Sequence, residues 1–183
     1  MAEVFLRRLT RWQAETQRES VADLYVAAHD GPPAGGDPER EAFLRRFAGY
    51  DVQRPGFEMV IGSDPALAGC CYGYPADREG EWCRALPGEA PAALREHAAA
   101  GRLFLIAELM VLPAYRRTRV ATRLQETLLI RSNAAQAVVF LAPGNEPAHA
   151  AFRSWGWRPA GWPEPGAATP GSRERQAWSR ALA

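Results

Sequence analysis

Residues 103–124 read Leu-Phe-Leu-Ile-Ala-Glu-Leu-Met-Val-Leu-Pro-Ala-Tyr-Arg-Arg-Thr-Arg-Val-Ala-Thr-Arg-Leu. From Leu103 to Val111 both alternating faces are apolar except at Glu108, which predicts a central strand covered on both sides. Pro113 ends it. From Arg116 to Arg131 the period changes, with Val120, Leu124 and Leu128 on one helical face. A helix that starts just after a strand offers free backbone N–H groups and the positive end of its dipole, which together suit a phosphate. Arg116, Arg117 and Arg119 add charge to that geometry. An anion-binding turn is one reading of Tyr115 to Ala121; an Arg-rich helix start that is merely solvated is the other.

Working outward, Ala137 to Leu141 is a second buried strand. Asn145-Glu146-Pro147 opens a helix with Ala148, Phe152 and Trp155 as its apolar face and Gly156 as its stop. On the N-terminal side, Val4 to Thr10 reads as a strand, and Ser20 is placed to cap a helix carrying Val21, Leu24, Tyr25 and Ala28 on one face. Asp30 to Pro38 is a loop by composition, with Asp37 and Pro38 set to start a helix striped by Phe43, Leu44 and Phe47. Phe57–Ile61 and Leu67–Tyr74 form a hairpin about the turn Gly62 to Pro65. Pro75 to Arg102 has no strand pattern and reads as an insertion containing a short helix, Pro91 to Ala100. Trp162 to Ser172 is a Pro/Gly-rich loop, and Gln176 to Ala181 a last strand. The expected organisation is a single α/β domain over 1–183.

The totals agree with such a domain. The chain has 183 residues, 47% hydrophobic and 23% charged, with 22 basic against 21 acidic side chains for a net charge of +1. That balance gives no reason to expect nucleic acid or an anionic membrane as partner. Every basic side chain besides histidine is arginine; lysine does not occur. No apolar run approaches the roughly 20 residues of a membrane span, and the charged N-terminus does not resemble a signal peptide. The expected location is the cytoplasm. Three cysteines without C-x-x-C spacing argue against a disulfide framework or a metal site. Cys70 and Cys71 read as buried thiols, and His97 and His149 as surface residues.

The stretch VLPAYRRTRVATRL resembles the acyl-CoA signature of the GNAT superfamily, Val-x-Pro followed by Arg/Gln-x-x-Gly-x-Gly/Ala. Arg116 matches the leading Arg/Gln, and Ala121 the final Gly/Ala. GNEPAHAAFRSWGW resembles that family's second block through Asn145, Ala148, Gly156 and Trp157. GCCYGYPADREGEW is similar to the strand and loop before the CoA strand in many actinobacterial members. The resemblance implies a GNAT fold, a mixed and mostly antiparallel sheet with a splayed strand pair and flanking helices. It implies transfer of an acyl group from acetyl-CoA, or another acyl-CoA, to an amine of a small molecule or peptide, by direct attack and without an acyl-enzyme. Pantetheine would pair near Met110 and Val111. The pyrophosphate would rest on the amides of Arg117, Thr118, Arg119, Val120, Ala121 and Thr122 beside Arg116. Asn145 and Phe152 would belong to the cofactor site, and a homodimer is one expected assembly.

Two departures bear on activity. Arg117 stands where the signature usually has a Gly after the leading Arg, and Arg119 stands at its central Gly; glycine serves there because a missing Cβ lets phosphate reach the amides. The Arg119 side chain either swings out and adds a phosphate contact or fills the pocket. Phe152 occupies a place where the family commonly has a tyrosine that protonates the departing thiolate. A GNAT fold turned to another ligand or reaction is the alternative these departures raise. Glu108, on a face with Phe104, Ile106, Met110 and Leu112, needs a partner or a raised pKa. It is either the general base, as at this place in some GNAT relatives, or a structural acid paired with an arginine. Tyr72 or Tyr74, one strand over, would face the acceptor pocket and stand in for the missing hydroxyl, or would simply pack.

Overall fold

The structure is a computed structural model describing residues 3–29, 38–84, 86–163 and 175–182. In chain order the elements are β1 (Phe5–Leu9), α1 (Arg11–Thr16), α2 (Arg18–Ala28), α3 (Pro38–Arg46), β2 (Glu58–Asp64), β3 (Ala66–Pro75), α4 (Glu81–Arg84), α5 (Ala92–Ala99), β4 (Leu103–Val111), α6 (Val120–Leu129), β5 (Gln136–Leu141), α7 (Glu146–Ser154), β6 (Arg158–Pro159) and β7 (Gln176–Ala181). A π-helical turn, Phe47–Asp51, continues α3, and a 3-10 turn, Pro113–Tyr115, follows β4. Two compact units result, one of residues 1–74 and 107–131, the other of 75–106 and 132–183. The loop expected at Asp30 to Pro38, the cap at Asp37 and most of the loop from Trp162 to Ser172 lie outside the described residues.

In the first unit the strand order is β1-β2-β3-β4. β1 pairs antiparallel with β2 from Phe5↔Ser63 to Leu9↔Met59. β2 pairs antiparallel with β3, with a bulge at Gly62/Ser63. The expected hairpin is present, but its strands run through Gly62 to Asp64, leaving a tight reversal at Pro65. β3 and β4 approach so closely that a Cβ on Gly69 would lie 2.8 Å from the Met110 carbonyl oxygen. Helices α2 and α3 and the π turn bury Val21, Leu24, Tyr25, Phe43 and Phe47 in one core with Met59, Ile61, Cys70, Tyr72 and Met110. Burial of each large side chain there contributes roughly 1.5–3 kcal/mol. Cys70 and Cys71 are fully buried as expected, and burial pushes both thiols up from their ordinary range.

The N-terminal helix begins earlier than its apolar stripe suggests. Thr10 caps α1, accepting from the Gln13 N–H while the Gln13 side chain accepts from the Thr10 N–H. That reciprocal pair satisfies two end donors at once. Ser20 is no cap, because α2 already starts at Arg18 and Ser20 lies inside its first turn.

In the second unit the order is β4-β5-β7-β6. β4 pairs parallel with β5 from Leu103↔Gln136 to Ile106↔Val139, and β5 pairs antiparallel with β7. Pairing with β5 thus covers the first part of β4, and the rest of the strand, from Ala107 on, belongs to the first unit. The insertion carries α4 besides the expected α5, which Gly101 ends at φ +69°. Arg78 lies against Gly101, whose added Cβ would meet the guanidinium at 2.8 Å. His149 is a correction: it is only 6% exposed, with Nε2 2.9 Å from the Ala142 carbonyl oxygen and its ring tilted against Trp178. The inward face of α7 takes in His149 beside the expected Phe152.

Candidate active site

The turn after β4 holds the positive-φ residues other than glycine among the described residues. After the 3-10 turn, Arg116 is extended, at φ −66° and ψ 148°. Arg117 and Arg119 then take φ +62° and φ +65°. These are left-handed conformations that cost an L-residue with a Cβ about 1–2 kcal/mol, and they persist only where the surroundings over-determine them. The surroundings here are explicit. Tyr115 donates its hydroxyl to Asp64, 3.2 Å from the carbonyl oxygen and 3.3 Å from Oδ2. The Thr118 hydroxyl donates to the Tyr115 carbonyl at 2.6 Å, and Arg116 Nη2 donates to the Ala28 carbonyl at 2.7 Å.

The helix therefore starts at Val120, later than the sequence period suggests, with Arg119 as its left-handed N-cap. The first N–H of the region to find an intrahelical acceptor is that of Arg123, on the Arg119 carbonyl. The N–H groups from Arg117 to Thr122 make no backbone hydrogen bond of good geometry among the described residues. Consecutive N–H groups in such a turn form a concave anion site. The two arginines hold the conformation that glycines would hold, and the side chains of both are exposed. Arg119 thus swings out. The residues present fit a pyrophosphate on backbone amides with guanidinium groups at its margin.

Glu108 belongs to a second polar group, in which its side chain is 14% exposed. Arg46 Nη2 donates to Glu108 Oε1 at 2.5 Å, and Arg46 Nε lies 3.4 Å from Asp51 Oδ2. Tyr72 and Tyr74 donate their hydroxyls to the two oxygens of Asp51, at 3.1 and 3.2 Å. Asp51 is 2% exposed. Burial pushes its carboxyl above the ordinary range, against the pull of Arg46 and the two tyrosines. The neighbouring acids, Glu108 first, hold the Arg46 guanidinium above its ordinary value despite burial. Burial also raises both tyrosines, so their hydroxyls stay protonated.

The π turn is what brings these groups together. Val52 N–H reaches back to the Phe47 carbonyl, an i→i+5 bond of 3.0 Å. In an α-helix, Arg46 and Asp51 would point about 140° apart. The wider turn lets both face the end of β3 and the middle of β4. π turns of this kind recur at functional sites.

Among the expected site residues, the first unit brings together Glu108, Tyr72 and Tyr74, with Met110 buried in its core and Val111 half-buried. The partner required by Glu108 is Arg46. Both tyrosine hydroxyls are spent on Asp51 and do not project as free proton donors. In the second unit Asn145 caps α7, its Oδ1 accepting from Ala148 N–H at 3.2 Å. Phe152 is 4% exposed and packs against Trp155 and Trp157. Sequence reasoning missed Arg46 and Asp51. Arg46 is a polar position inside the helical stripe and Asp51 lies past its last apolar residue, Phe47, and their pairing depends on a wide turn with no local signature. Among the described residues no cluster could hold a metal ion, and no helix is long and apolar enough to cross a membrane.

The model of the acetyltransferase (GNAT) family matches residues 18–157. A search of curated proteins finds no match. Solved structures match over nearly full length at low identity. An N-acetyltransferase, PaiA, from Thermoplasma acidophilum in complex with coenzyme A is 10% identical, with 98% of this chain and 99% of that one covered and a TM-score of 0.62. A GNAT-family acetyltransferase from Staphylococcus aureus Mu50 is also 10% identical, with 99% and 100% covered and a TM-score of 0.62. The protein yncA from Salmonella typhimurium, solved with its cofactor acetyl-CoA, is 12% identical, with 99% and 95% covered and a TM-score of 0.62. At these identities the likeness is one of fold.

Proposed function

The chain belongs to the acetyltransferase (GNAT) family, and from that premise we propose that it is a working N-acyltransferase that uses acetyl-CoA on an amine. The observation that carries this reading is the left-handed backbone at Arg117 and Arg119. The turn keeps the shape that opens its amides although both residues bear a Cβ, and backbone strain of this kind clusters at ligand sites.

Bound acetyl-CoA would supply a thioester carbonyl that an amine attacks directly, the C–N bond forming as the C–S bond breaks. The amides from Arg117 to Thr122 hold the pyrophosphate, with Arg116, Arg117 and Arg119 as flanking charges. The backbone at Met110 and Val111 orients the pantetheine arm. Glu108 accepts the proton that the amine sheds, directly or through one water. Phe152 offers no proton, and the Tyr72 and Tyr74 hydroxyls are engaged with Asp51. The thiolate therefore leaves without acid help from these residues, at a cost on the order of 10²–10⁴ in rate where such help is normally used.

Calorimetric titration of the full chain with CoA and with acetyl-CoA tests the cofactor site. Micromolar binding that weakens steeply with salt is expected. Absence of binding at millimolar ligand would sink the proposal. Turnover is then followed as thiol release across an amine panel. Because the chain has no lysine, acetylation of its own side-chain amines cannot contribute to that signal.

A further inference from the structure

The site's acceptor side carries a feature that acyl transfer alone does not require. Arg46 donates a hydrogen bond to Glu108 and also interacts with Tyr72. Its Nε is buried, lies 3.4 Å from Asp51 Oδ2 and makes no hydrogen bond there. Its side chain nevertheless remains 37% exposed, against 14% for Glu108. A guanidinium has five N–H donors in a planar fork suited to a carboxylate. Donors therefore remain at the solvent-facing end of this pair. The rest of the fork is fixed from behind: Asp51 is held by two tyrosine hydroxyls and attracts Arg46, and Arg46 lies 5.4 Å over the Phe43 ring.

An exposed cation in this position is poorly suited to a simple amine. Amines in water are mostly ammonium ions before they react, and Arg46 repels a cation beside the Glu108 that attracts one. The pair as a whole is a dipole with adjacent positive and negative ends. The complementary ligand is a zwitterion, with an ammonium for Glu108 and a carboxylate for Arg46. In an α-amino acid those two charges are separated by one carbon, on the scale of a contact ion pair.

We infer that the acceptor is a free α-amino acid or a close analogue, its carboxylate held by Arg46 while Glu108 takes the proton from its amine. The inference rests on the acyltransferase reading above and names its substrate class. The reaction balances: the ammonium loses one proton to Glu108 and thence to solvent. The neutral amine forms the C–N bond and loses a second proton to the departing thiolate. The products are the N-acetyl amino acid, CoA thiol and one released proton. The carboxylate is unchanged.

The test uses the full-length protein with saturating acetyl-CoA. Thiol release is compared between a set of α-amino acids and their methyl esters, which keep the amine and lose the anion. The expected result is a kcat/KM at least about tenfold higher for the acids, arising mainly in KM, since the carboxylate is held in ground and transition state alike. Arg46→Lys should retain part of the preference, and Arg46→Met should abolish it. Esters or simple amines turned over as well as the acids would overturn the inference. So would turnover confined to peptide or polyamine amines, or acetyl-CoA binding with no acid turned over. A protein that does not bind acetyl-CoA in the titration described above would fail on the cofactor reading instead, so the two failures are separable. The comparison of acid with ester on the unsubstituted protein keeps the test valid even if the Arg46 variants do not fold.

Discussion

Arg119→Gly and Arg119→Ala remove the same guanidinium but differ in what they do to the backbone. Arg119 sits at φ 65° and ψ 8°. Alanine keeps the left-handed penalty of about 1–2 kcal/mol. Glycine loses that penalty and gives back about 0.5–1 kcal/mol through the greater freedom of its unfolded chain. The glycine variant should therefore be the more stable of the two by about 0.5–1 kcal/mol. For a chain of this length that corresponds to about 1–4 °C in Tm. Guanidinium and thermal unfolding of the two variants measure the difference, and Glu126 supplies the control. It lies exposed within α6, where glycine should be less stable than alanine by about 1 kcal/mol. The order of stability should thus invert between positions 119 and 126. CoA affinity should fall equally in both Arg119 variants if the side chain contributes a phosphate contact. Alanine as stable as glycine at position 119 would refute the reasoning, because the turn would then not be held left-handed and its amides would not be presented as described.

Other perturbations address the remaining parts of the site. Glu108→Gln should lower kcat by about 10²–10⁴ if Glu108 is the base. It should cost only about 1–2 kcal/mol of stability, since Arg46 keeps Asp51 and partial access to water; a kcat within a factor of three of the parent would assign Glu108 a structural role. Gly69→Ala forces a Cβ to 2.8 Å from the Met110 carbonyl and should destabilise by about 1–3 kcal/mol, with CoA affinity falling as β4 shifts; an unperturbed melting curve would contradict the close approach. Burial raises Asp51 above its unfolded value, so the native chain keeps a proton that the unfolded chain releases. This contribution to stability is present at low pH and is lost as pH rises from the ordinary carboxylate range through the raised value. Asp51→Asn lacks it, so denaturation measured across that range should show the variant gaining on the parent as pH increases, and the opposite slope would show that the carboxyl is depressed.

Several strands and the opening of α7 could be read from residues because local chemistry dictates them. Leu103 to Val111 is apolar on both faces and forms β4 with the expected bounds. Asn145 followed by Pro147 caps and opens α7. Where the reading failed, something nonlocal or periodic-but-ambiguous decided. α6 starts later than its apolar stripe because Arg117 and Arg119, which no propensity places in left-handed backbone, complete the turn first. His149 is buried because the inward face of α7 is wider than its apolar stripe, and the Ala142 carbonyl gives the ring a partner there. That Glu108 must have a partner followed from burying a charge, but choosing Arg46 among 22 arginines required the path of the chain between α3 and β2.

That path turns on five residues, Phe47–Asp51. Their content is a count as much as a composition. Gly49 has open space around it, and an added Cβ would touch nothing within 4 Å, so many single substitutions there should pass unnoticed. Removing one residue would be different. The turn would tighten to α-helical pitch, every later residue would rotate by about 100°, and Asp51 would no longer meet Tyr72, Tyr74 or Arg46. Arg46 would then lose the carboxylate behind it and Glu108 its fixed partner, with no side chain in the group having been replaced. In this segment a change of length is a lesion to chemistry that lies on two other elements, and drift in sequence is tolerated where drift in spacing is not.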